Sequence, residues 1–375
     1  MVRLGDAYDV VVAGGGPAGL AAAIVAAGRG ASVLVVEQRA FPPDKACGEG
    51  LLPPAVWALE RLGVLAEIAP TARRAFTGIR FVQEDGASAM LPLAQGGLGV
   101  RRTVLIEAMA RRAAALGVVI AARTAIRDVE RRAETAVVTT ANGVVRARLV
   151  VAADGLHSPL RRAAHLGAPP SPRGRFAVRQ HLAIRPWSTC VEVYVDHLGE
   201  AVVTPVSDEA INVNFVWEPD TIAHPTFATL AARFPALHAR IGDALPVSTI
   251  RGAGPMARTA LRRTCERMVL IGDAGGFIDS IAADGLAMAF NSALVLGPML
   301  PGVLAAGATT ASLAPYERAA RGLFRNYRIV TQSLLWIARH PSLRGQLVRY
   351  LARHQAVGDA MMSGAMRLML ASVPT

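Results

Sequence analysis

The sequence has little cysteine, little lysine and no long uninterrupted apolar run, and each scarcity excludes a class of protein. Its 375 residues include three cysteines, Cys47, Cys190 and Cys265, which are far apart and show no Cys-x-x-Cys or Cys/His spacing. A disulfide framework and a metal site are therefore not predicted. Arg, Gly or Pro interrupts every apolar stretch within about 18 residues, so we predict no integral membrane span. No apolar leader precedes the first strand, and we expect a cytoplasmic protein.

Basic residues are in excess, and nearly all of them are arginine. The formal charge is +12, yet the arginines are scattered in pairs such as Arg73-Arg74 and carry no aromatic-plus-basic RNA motif. Nucleic-acid binding is therefore not predicted. Lys45 is the single lysine of the chain. Its retention where arginine has replaced every other lysine indicates that a compact ammonium group is needed at that position.

The amino-terminal segment has the order of a dinucleotide-binding unit. The apolar run from Tyr8 to Ala13 predicts a buried parallel strand, and Gly14, Gly16 and Gly19 follow at GxGxxG spacing. These glycines allow a tight turn, close approach of a pyrophosphate and close packing of the next helix. A second strand ends in Glu37, where a carboxylate can accept hydrogen bonds from ribose hydroxyls. This unit predicts dinucleotide binding without separating FAD from NAD.

Two further strands end in an acid and a glycine. The run from Arg148 to Ala153 precedes Asp154-Gly155, and the run from Met268 to Ile271 precedes Gly272-Asp273. Ser158 and Arg161 follow the first of these, where they suit either cofactor contacts or a helix cap and a solvated helical residue. A long helix is predicted to open at Asp284-Gly285 and run to about Leu300.

This ordered set resembles the para-hydroxybenzoate-hydroxylase-like flavoprotein superfamily, over Tyr8 to about Leu300. The resemblance implies bound FAD: the first glycine loop and Glu37 hold ADP, Asp154-Gly155 lies at the pyrophosphate and is linked to NAD(P)H use, and Asp273 holds the ribitol. Arg102 matches an arginine that contacts the FAD phosphates, with Arg101 as the alternative. The implied cofactor-binding residues are Gly14, Gly16, Pro17, Ala18, Gly19, Glu37, Gln38, Arg39, Cys47, Gly48, Arg102, Asp154, Gly155, Gly272, Asp273, Gly285 and Leu286.

The segment Cys47-Gly48-Glu49-Gly50 is similar to the loop of the geranylgeranyl-reductase-like branch of that superfamily, which carries the chain across the isoalloxazine. The resemblance makes Cys47, Lys45 and Glu49 the candidate catalytic residues. A small buried packing role for Cys47 and a helix-cap role for Glu49 are the alternatives. Where relatives carry Asp-Pro and Gly-Glu-Gly after the third motif, this chain has Asp279-Ser280 and Ala283-Asp284-Gly285.

The region between the second and third motifs alternates apolar and polar residues. Four antiparallel strands are predicted there, at residues 176–184, 190–195, 200–205 and 211–217. The candidate substrate-lining residues on them are His181, Tyr194, Asn212, Asn214 and Trp217. The tail from Tyr316 to Leu370 has a helical pattern with Met361, Met362, Met366 and Met369 at about helical spacing, which suits helix packing, the floor of an apolar pocket or peripheral contact with a membrane.

The predicted fold class is α/β: a Rossmann-type, three-layer ββα FAD-binding domain with an inserted mixed or antiparallel β-sheet substrate domain and a helical C-terminal part. The FAD-binding domain is predicted at 1–75, 101–172 and 256–310, the substrate domain at 76–100 and 173–255, and the C-terminal helices at 311–375.

The sequence favours an NAD(P)H-dependent monooxygenase that hydroxylates an aromatic, phenolic or polyketide-like small molecule in natural-product biosynthesis. The flavin supplies the redox chemistry, which agrees with the lack of a catalytic triad in the sequence. The Cys47 loop favours the alternative, a reductase of isoprenoid or quinone-linked double bonds. The expected partner is a hydrophobic or aromatic small molecule, and the sequence leaves the oligomeric state open.

Overall fold

The computed structural model describes residues 5–171, 174–219, 221–222, 225–371 and 373. The predicted domain boundary between residues 172 and 173 lies outside the described residues, and the predicted domain division stays a prediction. The strands are β1 Ala7–Ala13, β2 Val33–Val36, β3 Gly50–Leu51, β4 Arg73–Gln83, β5 Ser88–Val100, β6 Val119–Ala121, β7 Ile126–Arg131, β8 Ala136–Thr140, β9 Gly143–Ala152, β10 Phe176–Leu182, β11 Cys190–Val195, β12 Gly199–Pro205, β13 Ile211–Trp217, β14 Arg251–Ala253, β15 Arg258–Thr259, β16 Thr264–Cys265, β17 Met268–Leu270 and β18 Gly276–Phe277.

Helices make up most of the carboxyl-terminal quarter and cover one face of the first sheet. The α-helices are α1 Pro17–Ala27, α2 Pro53–Arg61, α3 Arg102–Ala115, α4 Pro159–Ala163, α5 Phe227–Ala231, α6 Pro235–Ile241, α7 Gly285–Leu296, α8 Leu300–Ala305, α9 Thr310–Ala338, α10 Pro341–Arg353 and α11 Gln355–Leu370. Short 3-10 turns lie at Leu65–Glu67, Pro70–Ala72, Gly272–Gly275 and Gly297–Met299.

The first sheet has the order β16-β17-β9-β1-β2-β6, and β7 and β8 extend it as an antiparallel meander from β9. Strands β1, β2, β6, β9 and β17 run parallel, as their apolar composition predicts. Residues of β1 alternate between two cores. Val10 and Val12 pack with α1, α3 and α7, whereas Val11 and Ala13 pack toward the β7–β8 hairpin. Helices, sheet and hairpin therefore form the three layers that the sequence predicts.

The second sheet has the order β14-β10-β13-β12-β11-β4-β5-β3. Strands β10 to β13 are the four predicted strands, and the first of them ends at Leu182 rather than at residue 184. All pairings are antiparallel except that of β11 with β4. The α/β fold class with an inserted mixed sheet and a helical carboxyl-terminal part is confirmed.

Among the described residues, one apolar helical stretch, Gly285–Ala305, has the length and mean hydropathy, 1.5, of a membrane span. Inside the fold 67% of that window is buried. Phe290, Ala293 and Leu296 of α7 pack in the core that also holds α1. The predicted single helix ends instead at Leu296, and a 3-10 turn separates it from α8.

Candidate functional site

A cavity of about 860 Å³ lies between the carboxyl ends of the first sheet's parallel strands and one face of the second sheet. This edge of a parallel sheet is where ligands bind in open α/β folds. Most residues predicted from the three motifs and the Cys47 loop come together on its wall. The predicted residues on the wall are Gly14, Gly16, Pro17, Ala18, Glu37, Gln38, Arg39, Lys45, Cys47, Gly48, Glu49, Arg102, Asp154, Gly155, Asp273, Gly285 and Leu286.

Gly19 and Gly272 are the two predicted cofactor-binding residues that do not line the cavity. A Cβ atom at Gly19 would lie 1.9 Å from the carbonyl oxygen of Gly14, so this glycine allows α1 to begin directly against the loop. A Cβ atom at Gly272 would lie 2.6 Å from the Cβ of Ala18. Both glycines therefore support the wall from behind. Arg101, the alternative to Arg102, also lies off the wall.

The glycine loop is fixed by its neighbours on both sides. Gly14 has φ +110°, and a Cβ atom there would lie 2.5 Å from the carbonyl oxygen of Ala153. Glu37 Oε2 accepts a hydrogen bond from the Gly15 amide at 2.8 Å, and Oε1 accepts one from the Arg39 amide at 2.9 Å. Each carboxylate oxygen retains a lone pair. Glu37 thus holds the loop and still presents acceptors to the cavity.

Two acids meet the cavity at the ends of β9 and β17. Asp154 Oδ2 accepts from the Leu160 amide at 3.0 Å, while its buried Oδ1 has no hydrogen-bond partner among the described residues. Burial raises the pKa of Asp154 and of Asp273. An unpartnered buried acceptor in a cavity wall requires a donor from a ligand or from water.

The side chain of Arg161 links the turn after Asp154 to the turn that carries Asp273. Arg161 is therefore not a solvated helical residue, which was one of its two predicted roles. Its side chain is buried and donates to the carbonyl oxygens of Ala274 at 2.9 Å, Asp273 at 3.2 Å and Leu156 at 2.8 Å. Ser158 is the amino-terminal cap of α4, and its hydroxyl accepts from the Arg161 amide. The cap alternative for Ser158 is therefore the one observed.

Cations lie opposite the acids. Burial lowers the pKa of Lys45, and the nearby charges of Arg102 and Arg39 lower it further. Lys45 Nζ would lie 3.3 Å from a Cβ atom at Gly155, and Arg102 Nη2 would lie 3.5 Å from one at Gly16. These two side chains therefore place positive charge beside both glycine turns, which suits a bound diphosphate.

The Cys47 loop is held by the second sheet. The carbonyl oxygen of Cys47 accepts from Asn212 Nδ2 at 2.8 Å. Burial raises the pKa of the Cys47 thiol, which keeps the thiol protonated and disfavours a nucleophilic role. This supports a packing or positioning role for Cys47.

Glu49 is buried at φ +60°, with both carboxylate oxygens bound. Its Oε1 accepts from the Arg102 amide at 2.8 Å, at the first turn of α3, and its Oε2 lies 2.5 Å from His181 Nε2. Arg102 thus begins its helix under a cap that comes from the Cys47 loop. This geometry favours the cap interpretation of Glu49 over a role as a base.

Of the five candidate residues on the sheet, Asn214 alone lines the cavity. Tyr194 packs on the opposite face, where its hydroxyl donates to Glu192 at 2.6 Å, and Trp217 stacks with Phe176. His181 and Asn212 face the Cys47 loop and act through it. The period-two alternation separates the faces of a strand, but it does not say which face meets the cavity.

The sequence did not signal two ion-pair groups, one buried and one partly exposed. Arg175 donates from Nε to Asp279 Oδ2 at 2.9 Å and from Nη2 to Glu200 Oε1 at 3.0 Å. Burial raises the pKa of Glu200, which lines the cavity. Asp44 binds Arg251 Nε at 3.0 Å and also Arg179. The partners are far apart in sequence, so no local spacing signals them.

Beyond the acids and cations, the cavity continues into an apolar part between the second sheet and the last three helices. Its walls have few polar atoms, which suits a hydrophobic ligand. The apolar lining residues are Leu52, Phe76, Ile79, Phe81, Leu91, Val191, Val193, Val195, Val202, Val330, Leu334, Ile337, Leu347, Val348, Leu351, Met361, Met362, Met366 and Met369.

One cluster of metal-ligand type occurs among the described residues, at Glu84, Asp196 and His197. Asp196 Oδ2 already accepts from Arg233 Nε at 2.8 Å, and its Oδ1 accepts from the Leu198 amide at 2.7 Å. These contacts give Asp196 a structural role, and the prediction that the chain has no metal site stays a prediction.

Known proteins share this fold and this sequence pattern. The family model of the FAD binding domain matches residues 7–327. Digeranylgeranylglycerophospholipid reductase 1 of Methanothermobacter thermautotrophicus is 27% identical over 344 residues, which are 86% of this chain and 84% of the reductase. Menaquinone reductase of Mycolicibacterium smegmatis is 39% identical over 163 residues, 41% of this chain and 39% of that protein. The structure of p-nitrophenol 4-monooxygenase PnpA from Pseudomonas putida DLL-E4 superposes with a TM-score of 0.83 and 20% identity, covering 97% of this chain and 99% of PnpA.

The residues of the cavity fit FAD. Asp154 Oδ1, which has no partner within the described ranges, and Asp273 suit the hydroxyl donors of a ribose and a ribitol, and Lys45 and Arg102 suit the diphosphate between them. Gly14 and Gly16 have no side chains, so the backbone at the same edge of the sheet is open to a ligand. The resemblance inferred from the motifs is confirmed, while the contact of each named residue with FAD stays a prediction.

Proposed function

We propose that this chain, which belongs to the FAD binding domain family, is a reductase of isoprenoid or quinone-linked double bonds in a lipid. That it is an FAD-dependent oxidoreductase follows from the family; the alkene chemistry and NAD(P)H as transient reductant are the proposal. The observation that carries the proposal is the apolar part of the cavity, which begins at the Cys47 loop and ends among α9, α10 and α11.

A polyprenyl chain offers no hydrogen-bonding groups, so its binding depends on contact with apolar walls. The cavity provides such walls on two sides, from valines of β11 and β12 and from methionines of α11. Methionine side chains are flexible and adapt to an irregular ligand. The names of two relatives support this choice, because one reduces a digeranylgeranylglycerophospholipid and the other a menaquinone.

The chain's own residues hold and orient the reactants. FAD, when bound, supplies the redox chemistry. Arg102 and Lys45 would offset the diphosphate charge, and Asp273 would accept a hydrogen bond from the ribitol. Asn212 fixes the Cys47 backbone, and the apolar walls exclude water from the substrate. We expect these steps to take place in the cytoplasm.

Anaerobic turnover tests the proposal. The purified FAD-loaded protein is supplied with NADPH or NADH and a menaquinone or a digeranylgeranylglycerophospholipid, and the product is analysed by mass spectrometry. We expect a product with two added hydrogens for each saturated double bond, without oxygen. Absence of saturated product with both lipids would refute the reductase assignment. Asp273→Ala is expected to lose FAD, with the flavin absorption as the measurement.

A hydroxylase of an aromatic or phenolic small molecule in a biosynthetic pathway is the second candidate. The observation that favours it is the polar group on the sheet wall, where Glu200, Thr204 and Asn214 present partners for a phenol or a carbonyl. Substrate-stimulated oxygen consumption, with oxygen incorporated into the product, would establish this activity instead.

A further inference from the structure

The last three helices expose an unusual mixture of arginine and large apolar side chains. Residues 310–370 contain nine arginines and two acids, a formal charge of +7 against +12 for the whole chain. Six large apolar residues are between 37% and 57% exposed there: Ile329, Trp336, Leu343, Tyr350, Val357 and Met361. Exposed apolar groups in one region of a protein mark an interaction surface.

The exposed residues form stripes along the helices. On α9 the exposed positions Arg321, Arg325, Arg328, Gln332 and Trp336 follow one another at intervals of three or four, so they lie on one face. On α10 the exposed Leu343, Gln346, Tyr350 and Arg353 have the same spacing, and the exposed Arg349 adjoins this stripe. Each helix thus packs one face on the protein and presents another that is both cationic and apolar.

Several of these arginines have no carboxylate to neutralise them. Among the described residues, Arg325, Arg328 and Arg353 form no ion pair, whereas Arg321, Arg339 and Arg349 bind Glu317, Glu218 and Asp85. Uncompensated arginines beside exposed aromatic side chains are typical of surfaces that lie in the headgroup region of an anionic bilayer.

The same helices line the apolar part of the cavity. Met361 lines it and is 45% exposed at the surface. Ile337 of α9 and Leu351 of α10 line it too, each directly beside an exposed aromatic residue, Trp336 and Tyr350 respectively. The exposed face is therefore continuous with the cavity wall.

We propose that this helical face docks on the surface of an anionic phospholipid bilayer and admits a lipid substrate between α9, α10 and α11. The inference rests on the proposed function for the identity of the lipid, but the docking itself rests on the exposed residues. Arginine supplies the attraction to anionic headgroups, and Ile329, Trp336 and Tyr350 enter the interface.

Vesicle binding tests the docking. The FAD-loaded protein is sedimented with phosphatidylcholine vesicles that contain or lack phosphatidylglycerol. We expect binding to the anionic vesicles, and a loss of affinity of about tenfold or more for the double variant Arg325→Gln/Arg328→Gln. The matched control is Arg29→Gln/Arg127→Gln, two exposed arginines elsewhere in the chain. Equal loss in the control variant, or equal binding to both vesicles, would overturn the proposal.

Trp336 separates a bilayer from other polyanions. Trp336→Ser keeps the charge and is expected to weaken vesicle binding, whereas Leu261→Ser, at a residue 63% exposed, is not. Brominated lipid should quench the fluorescence of the native protein more than that of Trp336→Phe. If substitution of Trp336 has no effect on binding while substitution of the arginines does, the face binds a polyanion such as nucleic acid. If the face instead mediates self-association, sedimentation velocity shows a dimer. Either result contradicts bilayer docking.

The reductase proposal and the docking proposal can be disproved independently of each other. Turnover of a short, water-soluble prenyl alcohol without vesicles reports the reductase activity alone. Reduction of that alcohol without vesicle binding leaves the function and removes the docking. Vesicle binding without any alkene reduction removes the function and leaves the docking. Flavin absorption of each variant, unchanged from the native protein, verifies that it is folded.

Discussion

Gly19 allows α1 to lie close to the loop after β1 because its side chain is a single hydrogen atom. In Gly19→Ala the new Cβ would lie 1.9 Å from the carbonyl oxygen of Gly14, so the helix must move. Overpacking of this kind costs about 1–3 kcal/mol. We expect that loss in the free energy of unfolding, measured by urea denaturation, together with reduced FAD content.

Gly302 provides the control for that substitution. It lies in α8, exposed, with open space around its would-be Cβ atom. Because alanine is a better helix former than glycine by about 0.5–1 kcal/mol, Gly302→Ala should be neutral or stabilising. Equal losses in both variants would show that the contact with Gly14 is unimportant.

Asp284 is expected to make the free energy of unfolding depend on pH. Burial raises its pKa well above the usual value, and its side chain forms no cap hydrogen bond. Because the folded-state pKa is raised, folding favours the protonated acid, and the free energy of unfolding falls as pH rises above the ordinary Asp pKa of about 3.9. Asp284→Asn removes this loss. Its stability relative to the native chain should increase from acidic to neutral pH, measured on protein stripped of FAD.

The matched control for Asp284 is Asp359→Asn, at an exposed position of α11. Its stability difference from the native chain is expected to stay nearly constant over the same pH range. A constant difference for Asp284→Asn as well would show that Asp284 ionises in the folded chain without penalty.

At the scale of elements, α4 joins two loops that the sequence predicts separately. Arg161 of α4 donates to carbonyl oxygens of Leu156, Asp273 and Ala274. Arg161→Met leaves these acceptors unpaired, which costs about 1–3 kcal/mol for each that water does not reach. We expect lower stability and weaker FAD retention, because the turn that carries Asp273 loses its support. Arg127→Met, at an exposed position of β7, should retain FAD; similar behaviour of both variants would contradict the linking role.

The elements themselves were largely predictable. Apolar β-branched runs mark β1, β2, β9 and β17 because strands buried on both faces need them, and alternation marks β10 to β13. The turns that carry Gly14, Asp154 and Asp273 are visible because their chemistry is local in sequence. The pairing of Glu49 with His181, and of Arg175 with Asp279 and Glu200, was not predictable, since residues far apart in sequence meet only through the packing of the two sheets.

At the scale of the whole molecule, the sequence left open which face of the second sheet meets the cofactor edge of the first. Both faces of β13 carry buried residues, Phe215 on one and Asn214 on the other. The cavity side is fixed by where β4 and β5 place the Cys47 loop, through the pairing of β3 with β5. That placement also assigns Tyr194 to the core on the other face of the sheet, away from the cavity.

Ala365 of α11 tests whether one cavity serves cofactor and lipid at opposite ends. It lines the apolar part together with Met362 and Met366. In Ala365→Phe the added ring should shorten the space for a long prenyl chain while leaving the glycine turns untouched. We expect kcat/KM for a long-chain lipid to fall about tenfold, as an overpacking cost of about 1.4 kcal/mol implies, with unchanged FAD content and a smaller effect on a short prenyl alcohol. Ala360→Phe, at an exposed position of the same helix, should change neither value. If Ala365→Phe lowers kcat/KM equally for both substrates, or if it loses FAD, the lipid does not extend toward α11. The proposal that this wall lines a substrate channel is then wrong.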